Sequence, residues 1–493
     1  FTGGNRGWGG LWFIAGWENL VSWAPDFSGV VPNIAESWEV SDDVRTYTFH
    51  LRQGMKWSDG VDFTADDIMF YIEDVLFNDE LTAGGPVADW LPRDGAADFK
   101  AEKIDDYTVK LTFANPNGTF LYQVATWSGR HLTWFPKHYL MQFHKTYNPD
   151  GIDALVAAEE GVENWTGLFN RKASGPTEDT NSYWNTPERP LLFPWIPTSV
   201  LGGNTQMTMA RNPYYWKVDS EGNQLPYIDE IVGIQYQDNE ARTLAMINGD
   251  LDYVKDPGGT AERVLYFDAI DQGAPLNMSS PISDGGVSTT LHFNRTYEDA
   301  VLADLFANKD FRIGMSYAIN RAEVIEIVQF GQGEPAQASP LPSSPLYNEQ
   351  LATQYTEYDV DLANEYLDKV IPDRGADGYR LRPDGQPLSI VMSVSNDLSY
   401  GTTYVQVAEL LIGYWDAVGV KVTLNSMAND QFTENKENNN LQATIYTGEG
   451  GAGVTAILDP RYYVPGEYFG MYGNGWFAWR THSTEAVAVE MPQ

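Results

Sequence analysis

No cysteine occurs anywhere in the 493 residues. That one absence removes disulfides, thiol nucleophiles and cysteine-ligated metals together. Positive charge is scarce as well: 31 Lys and Arg stand against 68 Asp and Glu, a formal net charge of −37. Such a surplus repels nucleic-acid phosphates and anionic lipid at long range, so nucleic acid is not expected as a partner. Its plainest reading is a solvated surface that keeps the protein dissolved, as in salty water where screening relieves self-repulsion. No run of about 18 apolar residues is present, and the residues from Phe1 onward form no signal-peptide pattern. The chain is expected neither to span a membrane nor to carry its own address, as a mature, processed protein would not. Missing too are the GxSxG, HExxH and P-loop patterns. Hydrolysis would have to rest on carboxylates alone, and with 68 acids some pair always falls about 5–10 Å apart, so pairing says nothing about glycoside cleavage. No acid sits where a raised pKa is expected, and no catalytic residue is assigned.

What is present describes a globular protein: 43% hydrophobic and 20% charged residues. The length exceeds what one hydrophobic core supports, so two or three domains are expected. Aromatic residues are abundant, with 16 Trp, 28 Tyr and 22 Phe making 13% of the chain. Most must be core or strand residues, because large rings bury much apolar area. A remainder is available to line a binding surface.

Along the chain, the first 25 residues hold six glycines and four tryptophans without a clean period, a loop leading into a short element. Glu36 to Arg52 reads as a hairpin turning at Ser41-Asp42-Asp43, and Trp57-Ser58-Asp59-Gly60 as a further turn. Thr64 caps a helix with Asp66 and Asp67 in its first turn. Lys103 to Phe113 alternates as a strand over a turn. The stretch 164–197, rich in Asn, Thr, Ser and Pro, reads as a crossing between lobes. Strands follow at Met207–Ala210 and Ile228–Tyr236, then a helix from Asn239 to Asn248 stopping at Gly249. Helical spacing over 310–329 is interrupted by Asn320, which caps a second helix. The strand 388–394, the helix 404–418 ending at Gly419 and the strand 420–424 make a βαβ unit.

Four segments, in order, carry a family likeness: PNIAESWEVSDDVRTYTFHLRQGMKWSDGVDFTADDIMF (Pro32 to Phe70), ARNPYYWKVDSEGNQLPYIDEIV (Ala210 to Val232), FRIGMSYAINRAEVIEIVQFGQGEPA (Phe311 to Ala336) and VAELLIGYWDAVGVKVTL (Val407 to Leu424). The chain resembles the family 5 extracellular solute-binding proteins, the large receptors of peptide-, nickel- and oligosaccharide-importing ABC transporters. The resemblance implies a two-lobed α/β periplasmic-binding-protein fold of the large, cluster C type, with a subdomain inserted in the first lobe. Lobe one is then expected from residues 1–17, 166–275 and 466–493, the insert from 18–165, and lobe two from 276–465. Family members carry an opening strand before and more helix after the corresponding ends, so pieces of lobe one are expected to be absent from this sequence. A monomeric receptor, periplasmic or at the cell surface, is implied, with a membrane permease as partner and neither cofactor nor enzyme activity.

The wording PYYWKVDSEGNQLPYID together with GEGG and ILDPRYYVP resembles the branch that takes up β-linked oligosaccharides of glucan or xylan type. Peptide binders carry Trp and Asp in the corresponding late loop, which hold a peptide's amine. Here Tyr446-Thr447-Gly448-Glu449-Gly450-Gly451 stands in that place. Glycine lets a bulky ligand approach the backbone, whose N–H and C=O groups can bond hydroxyls directly. Glu449 would accept two sugar hydroxyls, and Tyr446 would stack on the apolar face of a sugar ring. Glycine clusters are also ordinary turns, and it is the resemblance that assigns this one to the site. It further places Asn5, Arg6, Trp8 and Trp12 at the first-lobe edge of the cleft, Asn396 and Tyr400 after the lobe-two strand, and Trp476 and Trp479 where the chain returns toward lobe one. An oligopeptide ligand is the alternative, with Arg6 and Glu449 meeting the termini, and a glycoside hydrolase is the third reading.

Two metal-like patterns are set aside. His131, His138 and His144 do not share a helical face, and Pro136 breaks the run. Asp219 to Asn223, with Glu230 at the twelfth place, imitates a calcium loop, but Gln224 stands where glycine is required. A surface turn is expected there, and no metal.

Overall fold

The computed structural model describes residues 17–491, apart from 27, 83–84, 87, 89, 93–94, 174–185, 201–204, 237, 255–259, 280–287, 397–400, 449–454, 459–463, 465–469 and 482–486. Two compact units emerge, Phe1–Arg242 with Tyr253–Asp256, and Thr243–Asp252 with Pro257–Gln493.

In the first unit β1 (Val21–Trp23) pairs with β2 (Val30–Pro32). Strands β3 (Ala35–Val40), β4 (Thr46–Leu51), β5 (Lys100–Asp105) and β6 (Thr108–Thr112) form an antiparallel sheet in the order β3-β4-β6-β5. The hairpin expected at 36–52 is β3–β4, with Trp38 opposite Phe49 and Val40 opposite Tyr47. Alternation decides the buried face: Tyr47, Phe49 and Leu51 of β4 point into the core. The 103–113 segment is two strands, β5 and β6, because Asp105 Oδ1 accepts the Tyr107 N–H at 2.8 Å and turns the chain.

Helix α1 (Ala65–Met69) starts as expected: Thr64 Oγ1 accepts from Asp66 N at 3.3 Å and Asp67 Oδ2 accepts from Thr64 N at 3.0 Å, a capping box. The other oxygen of buried Asp67 accepts the Lys137 N–H at 2.9 Å, where α2 (Lys137–Leu140) begins. One carboxylate thus ties two helix N-termini, while burial pushes its pKa up. Part of the aromatic surplus goes into this core. Phe120, for instance, meets Tyr47 and Phe113 edge-on, each with centroids 4.8 Å away. A third sheet, β7 (Trp195–Pro197), β8 (Gln206–Arg211) and β9 (Glu230–Ile234), is antiparallel throughout. Helix α3 (Asn239–Asn248) stops at Gly249, whose φ of +79° suits glycine, and where a Cβ would sit 2.8 Å from Pro275 Cγ.

The second unit is built on β10 (Thr290–Phe293), β11 (Ser389–Ser395), β12 (Lys421–Met427) and β13 (Ala443–Tyr446), in the order β10-β13-β11-β12. β11 is parallel to both β12 and β13, and β10 runs antiparallel to β13. Helices α4 (Ala300–Ala307), α5 (Lys309–Tyr317), α6 (Arg321–Val328), α7 (Val360–Asp368) and α8 (Gly401–Ala417) belong to this unit. Asn320 caps α6 by accepting the Glu323 N–H at 3.2 Å, as its place in the sequence implies. The β11-α8-β12 crossover is the expected βαβ unit; α8 buries Tyr404, Val407, Ala408, Leu411 and Trp415 along one stripe and ends before Gly419, φ +79°.

The histidines are engaged separately. His131 lies among Tyr71 and Phe135, His138 Nε2 meets Asp59 Oδ2 at 2.8 Å, and His144 Nε2 meets the Asp74 carbonyl at 3.0 Å. The Asp219 segment is a surface turn, its Oδ1 accepting the N–H groups of Glu221 and Asn223, each at 2.8 Å.

Burial also sets a pH dependence. His292 on β10 is enclosed, which lowers its pKa from 6.5 to about 4. Burial lowers His131 as well, to well below 6.5. Because the unfolded chain binds these protons more readily, the stability is complete above about pH 6.5 and is lost as pH falls toward about 4. For His292 the shift corresponds to roughly 3 kcal/mol. Asp67 works in the opposite direction, so the readout is a difference: urea unfolding of His292→Gln will show a shallower loss between pH 6.5 and 4 than the parent chain. Parallel curves would rule out a buried neutral His292.

Candidate ligand-binding site

Because β11, β12 and β13 are parallel, their carboxyl ends leave the sheet on one edge. Ligands of open α/β sheets sit beyond that edge. β13 ends at Tyr446 and continues to Gly448, β11 ends at Ser395 with Asn396 next, and β12 ends at Met427, leading into α9 (Asn429–Glu437). Three of the residues singled out in the sequence, Asn396, Tyr446 and Gly448, are therefore brought to the same edge by topology.

The edge is fixed by local bonds. The Thr290 hydroxyl of β10 donates to the Tyr446 carbonyl at 2.9 Å. The Tyr446 ring lies parallel to Phe432 of α9, 6° between planes and centroids 6.2 Å apart, and tilted 6.2 Å from Tyr404 of α8. It is wedged between two helices and half-buried. Asn396 donates its backbone N–H to the Met427 carbonyl at 3.0 Å and its Nδ2 to Ser426 Oγ at 3.1 Å. Its side-chain oxygen has no partner among the described residues, and the residue is exposed. This leaves an acceptor facing solvent on the carboxyl edge. Gly448 is half-buried two residues beyond the strand.

Trp476 and Trp479 fall on α10 (Asn474–Thr481). Trp476 is only 8% exposed, with the Arg295 guanidinium 4.8 Å over its ring and Tyr472 edge-on at 6.5 Å. Burial pushes the Tyr472 phenol up to about 12. Trp479 is 36% exposed. The helix is pinned to the second unit: Gly475 N donates to Thr296 Oγ1 at 3.0 Å and Asn474 Nδ2 to the Lys436 carbonyl at 2.8 Å. Just before it, Met471 joins Met427, Phe432 and Leu441 in a small apolar cluster against which Tyr446 packs. Asn5, Arg6, Trp8, Trp12, Tyr400, Glu449 and Gly450 lie outside the described residues.

Phe432, Thr290 and Ser426 shape this edge and were not singled out by sequence reasoning. The signal for Phe432 was a lone aromatic in the polar run NDQFTENKE, which marks a helix anchored at one point. Thr290 gave none, since its bond to Tyr446 spans 156 positions.

Residues 29–474 match the model of the bacterial extracellular solute-binding proteins, family 5. The chain belongs to this family. This family 5 protein is 28% identical over 451 residues to the periplasmic alpha-galactoside-binding protein of Rhizobium meliloti (strain 1021), covering 87% of this chain and 60% of that one. It therefore spans less than two thirds of that relative's length. Among solved structures it resembles an oligopeptide-binding protein OppA, with a TM-score of 0.67 at 32% identity, covering 97% of this chain and 73% of that one. It also resembles the periplasmic binding protein MelB of Agrobacterium fabrum C58 in complex with stachyose, with a TM-score of 0.64 at 25% identity, covering 91% and 65%. These likenesses bear out the expected two-lobed α/β periplasmic-binding-protein fold. Among the described residues no helix is long and apolar enough to cross a membrane.

Proposed function

We propose that this protein is the solute receptor of an ABC importer, which captures a neutral oligosaccharide between two hinged lobes and hands it unaltered to a membrane permease. The observation that carries the reading is the carboxyl edge of the second unit, where a fixed tyrosine, Gly448 and an open asparagine acceptor stand together. Hydroxyl-rich ligands need such a mixture of ring face and unhindered hydrogen-bonding groups. The likeness to an alpha-galactoside binder and to a stachyose complex supports a sugar. It also favours an α-galactoside over the β-linked glucan or xylan expected from the loop wording. Closure would shift the population toward the shut form through contacts made only there. We take the lobes to be divided over most of the chain as the sequence implies: 1–17 and 166–275 for the first, with 18–165 inserted, and 276–465 for the second. The receptor works as a monomer in the periplasm or at the cell surface, without a cofactor and without catalysis.

An oligopeptide is the second reading, favoured by the OppA likeness. Salt separates the two, because neutral-sugar affinity barely changes with ionic strength whereas charged-peptide affinity falls. Glu449→Ala will weaken oligosaccharide binding, followed by intrinsic tryptophan fluorescence, by roughly 1–3 kcal/mol and leave folding intact. Unchanged affinity would remove Glu449 from the site. Labelled oligosaccharide incubated with the protein for days will be recovered whole; shortened products would make it a hydrolase.

A further inference from the structure

A cavity of about 580 Å³ lies wholly among residues of the second unit, a volume within the usual range for small-molecule sites. Its walls are mostly apolar, with Phe293, Met315, Ile319, Leu411 and Ile445 among them, beside polar Thr289, Ser316, Gln337 and Gln354. Three cations, Lys309, Arg312 and Arg321, share its lining with a single carboxylate, Glu334. In a chain with 31 basic and 68 acidic residues this is a local inversion of sign.

Arg312 is the telling residue. It is half-buried, and its Nη1 donates to the carbonyls of Phe306 at 2.7 Å and Ala307 at 2.6 Å, closing the C-terminal end of α4. Those bonds hold the guanidinium in place but use one nitrogen only. Nε and Nη2 have no partner among the described residues, and no carboxylate there pairs with it. Burial lowers its pKa, and the neighbouring Arg295 lowers it further. Arg321 is held more fully: Nη1 donates to the Ser316 carbonyl at 2.9 Å and the Thr356 carbonyl at 3.3 Å and Nη2 to Ser316 Oγ at 2.7 Å, and Glu357 acts on it without forming an ion pair. Burial draws it down to about 10. The Thr289 hydroxyl, also in the lining, is buried with no partner among the described residues.

A half-buried cation with no paired carboxylate has weak compensation for its lost hydration, and an anion entering the cavity supplies it. The open side of the Arg312 fork matches a planar carboxylate. The apolar part of the lining suits hydrocarbon beneath it, and an ammonium would meet three like charges. We propose that this cavity is a second binding site, for a monocarboxylate that carries an apolar chain.

Calorimetry of the whole chain with decanoate, 1-decanol and acetate tests it, each below its aggregation limit. Decanoate will bind one per chain, with 1-decanol and acetate each weaker by about tenfold or more. Arg312→Gln will weaken decanoate by about tenfold and leave 1-decanol unchanged. Lys309 is exposed and its side chain has no bond among the described residues, so Lys309→Gln leaves the unit folded, and it will weaken decanoate by about threefold at low salt. Saturation with an oligosaccharide will leave decanoate binding in place. No heat with decanoate, equal affinity for 1-decanol, or decanoate affinity unmoved in Lys309→Gln would overturn the proposal.

Discussion

Replacing Trp415 with alanine will destabilise the second unit by about 3–5 kcal/mol. The indole is fully buried, its Nε1 donates to the Met315 carbonyl of α5 at 3.0 Å, and its ring lies 6.0 Å from that of Phe293 on β10. One side chain therefore joins the crossover helix α8 to a neighbouring helix and to the sheet. Truncation removes a large apolar surface from the core and leaves both a void and an orphaned carbonyl. Urea unfolding followed by circular dichroism will show the transition of this unit moving to lower denaturant. Trp415→Phe, which keeps most of the packing and loses the hydrogen bond, will cost about 1–2 kcal/mol. A loss below about 1 kcal/mol for the alanine variant would mean that α8 is held elsewhere.

Arg380→Ala will cost a similar amount, about 3–5 kcal/mol, for a different reason. Its side chain is completely buried, with Nε donating to the Val418 carbonyl at 2.9 Å, Nη1 to Asp368 Oδ1 at 2.7 Å and the Ile371 carbonyl at 2.8 Å, and Nη2 to Asn364 Oδ1 at 2.8 Å. These acceptors gather at the C-terminal ends of α7 and α8, where a cation is favoured. Asp368 is 58% exposed, so the ion pair itself adds little. The loss comes from the buried carbonyls and the asparagine oxygen left without donors. Lysine cannot reach four acceptors with one ammonium, so Arg380→Lys will recover less than half of the loss. Full recovery in the same unfolding experiment would show that charge matters there and fork geometry does not.

The two residues illustrate what could be read in the sequence and what could not. The stripe of α8, the capping box at Thr64 and the alternation of β4 are legible because each rule acts over a few neighbouring positions. The βαβ unit followed from their order, and the family from four motifs. Arg380 sits in a turn-rich stretch between α7 and β11 that shows no period, and its acceptors lie 9 to 38 positions away. Nothing local announces a buried guanidinium. The site was legible by half in the same way. Tyr446, Gly448 and Asn396 could be placed after strands, and parallel pairing then brings them to one edge. The ring of Phe432 beside Tyr446 and the hydroxyl of Thr290 beneath it depend on β13 lying between β10 and β11, an order that hydrophobic periodicity does not encode. Trp476, which the resemblance places at the cleft, is buried. The glycine before it permits a close approach, since a Cβ at Gly475 would meet Thr296 Cβ at 2.9 Å.

Capture of an uncharged sugar is tested most directly by calorimetry of the whole chain against stachyose, a cello-oligosaccharide and a tripeptide. One neutral oligosaccharide will bind at a single site per chain, with stachyose the strongest of the three, and its affinity will hold between about 0.05 and 0.5 M salt. No heat with any sugar, beside tight tripeptide binding that weakens as salt is added, would contradict it.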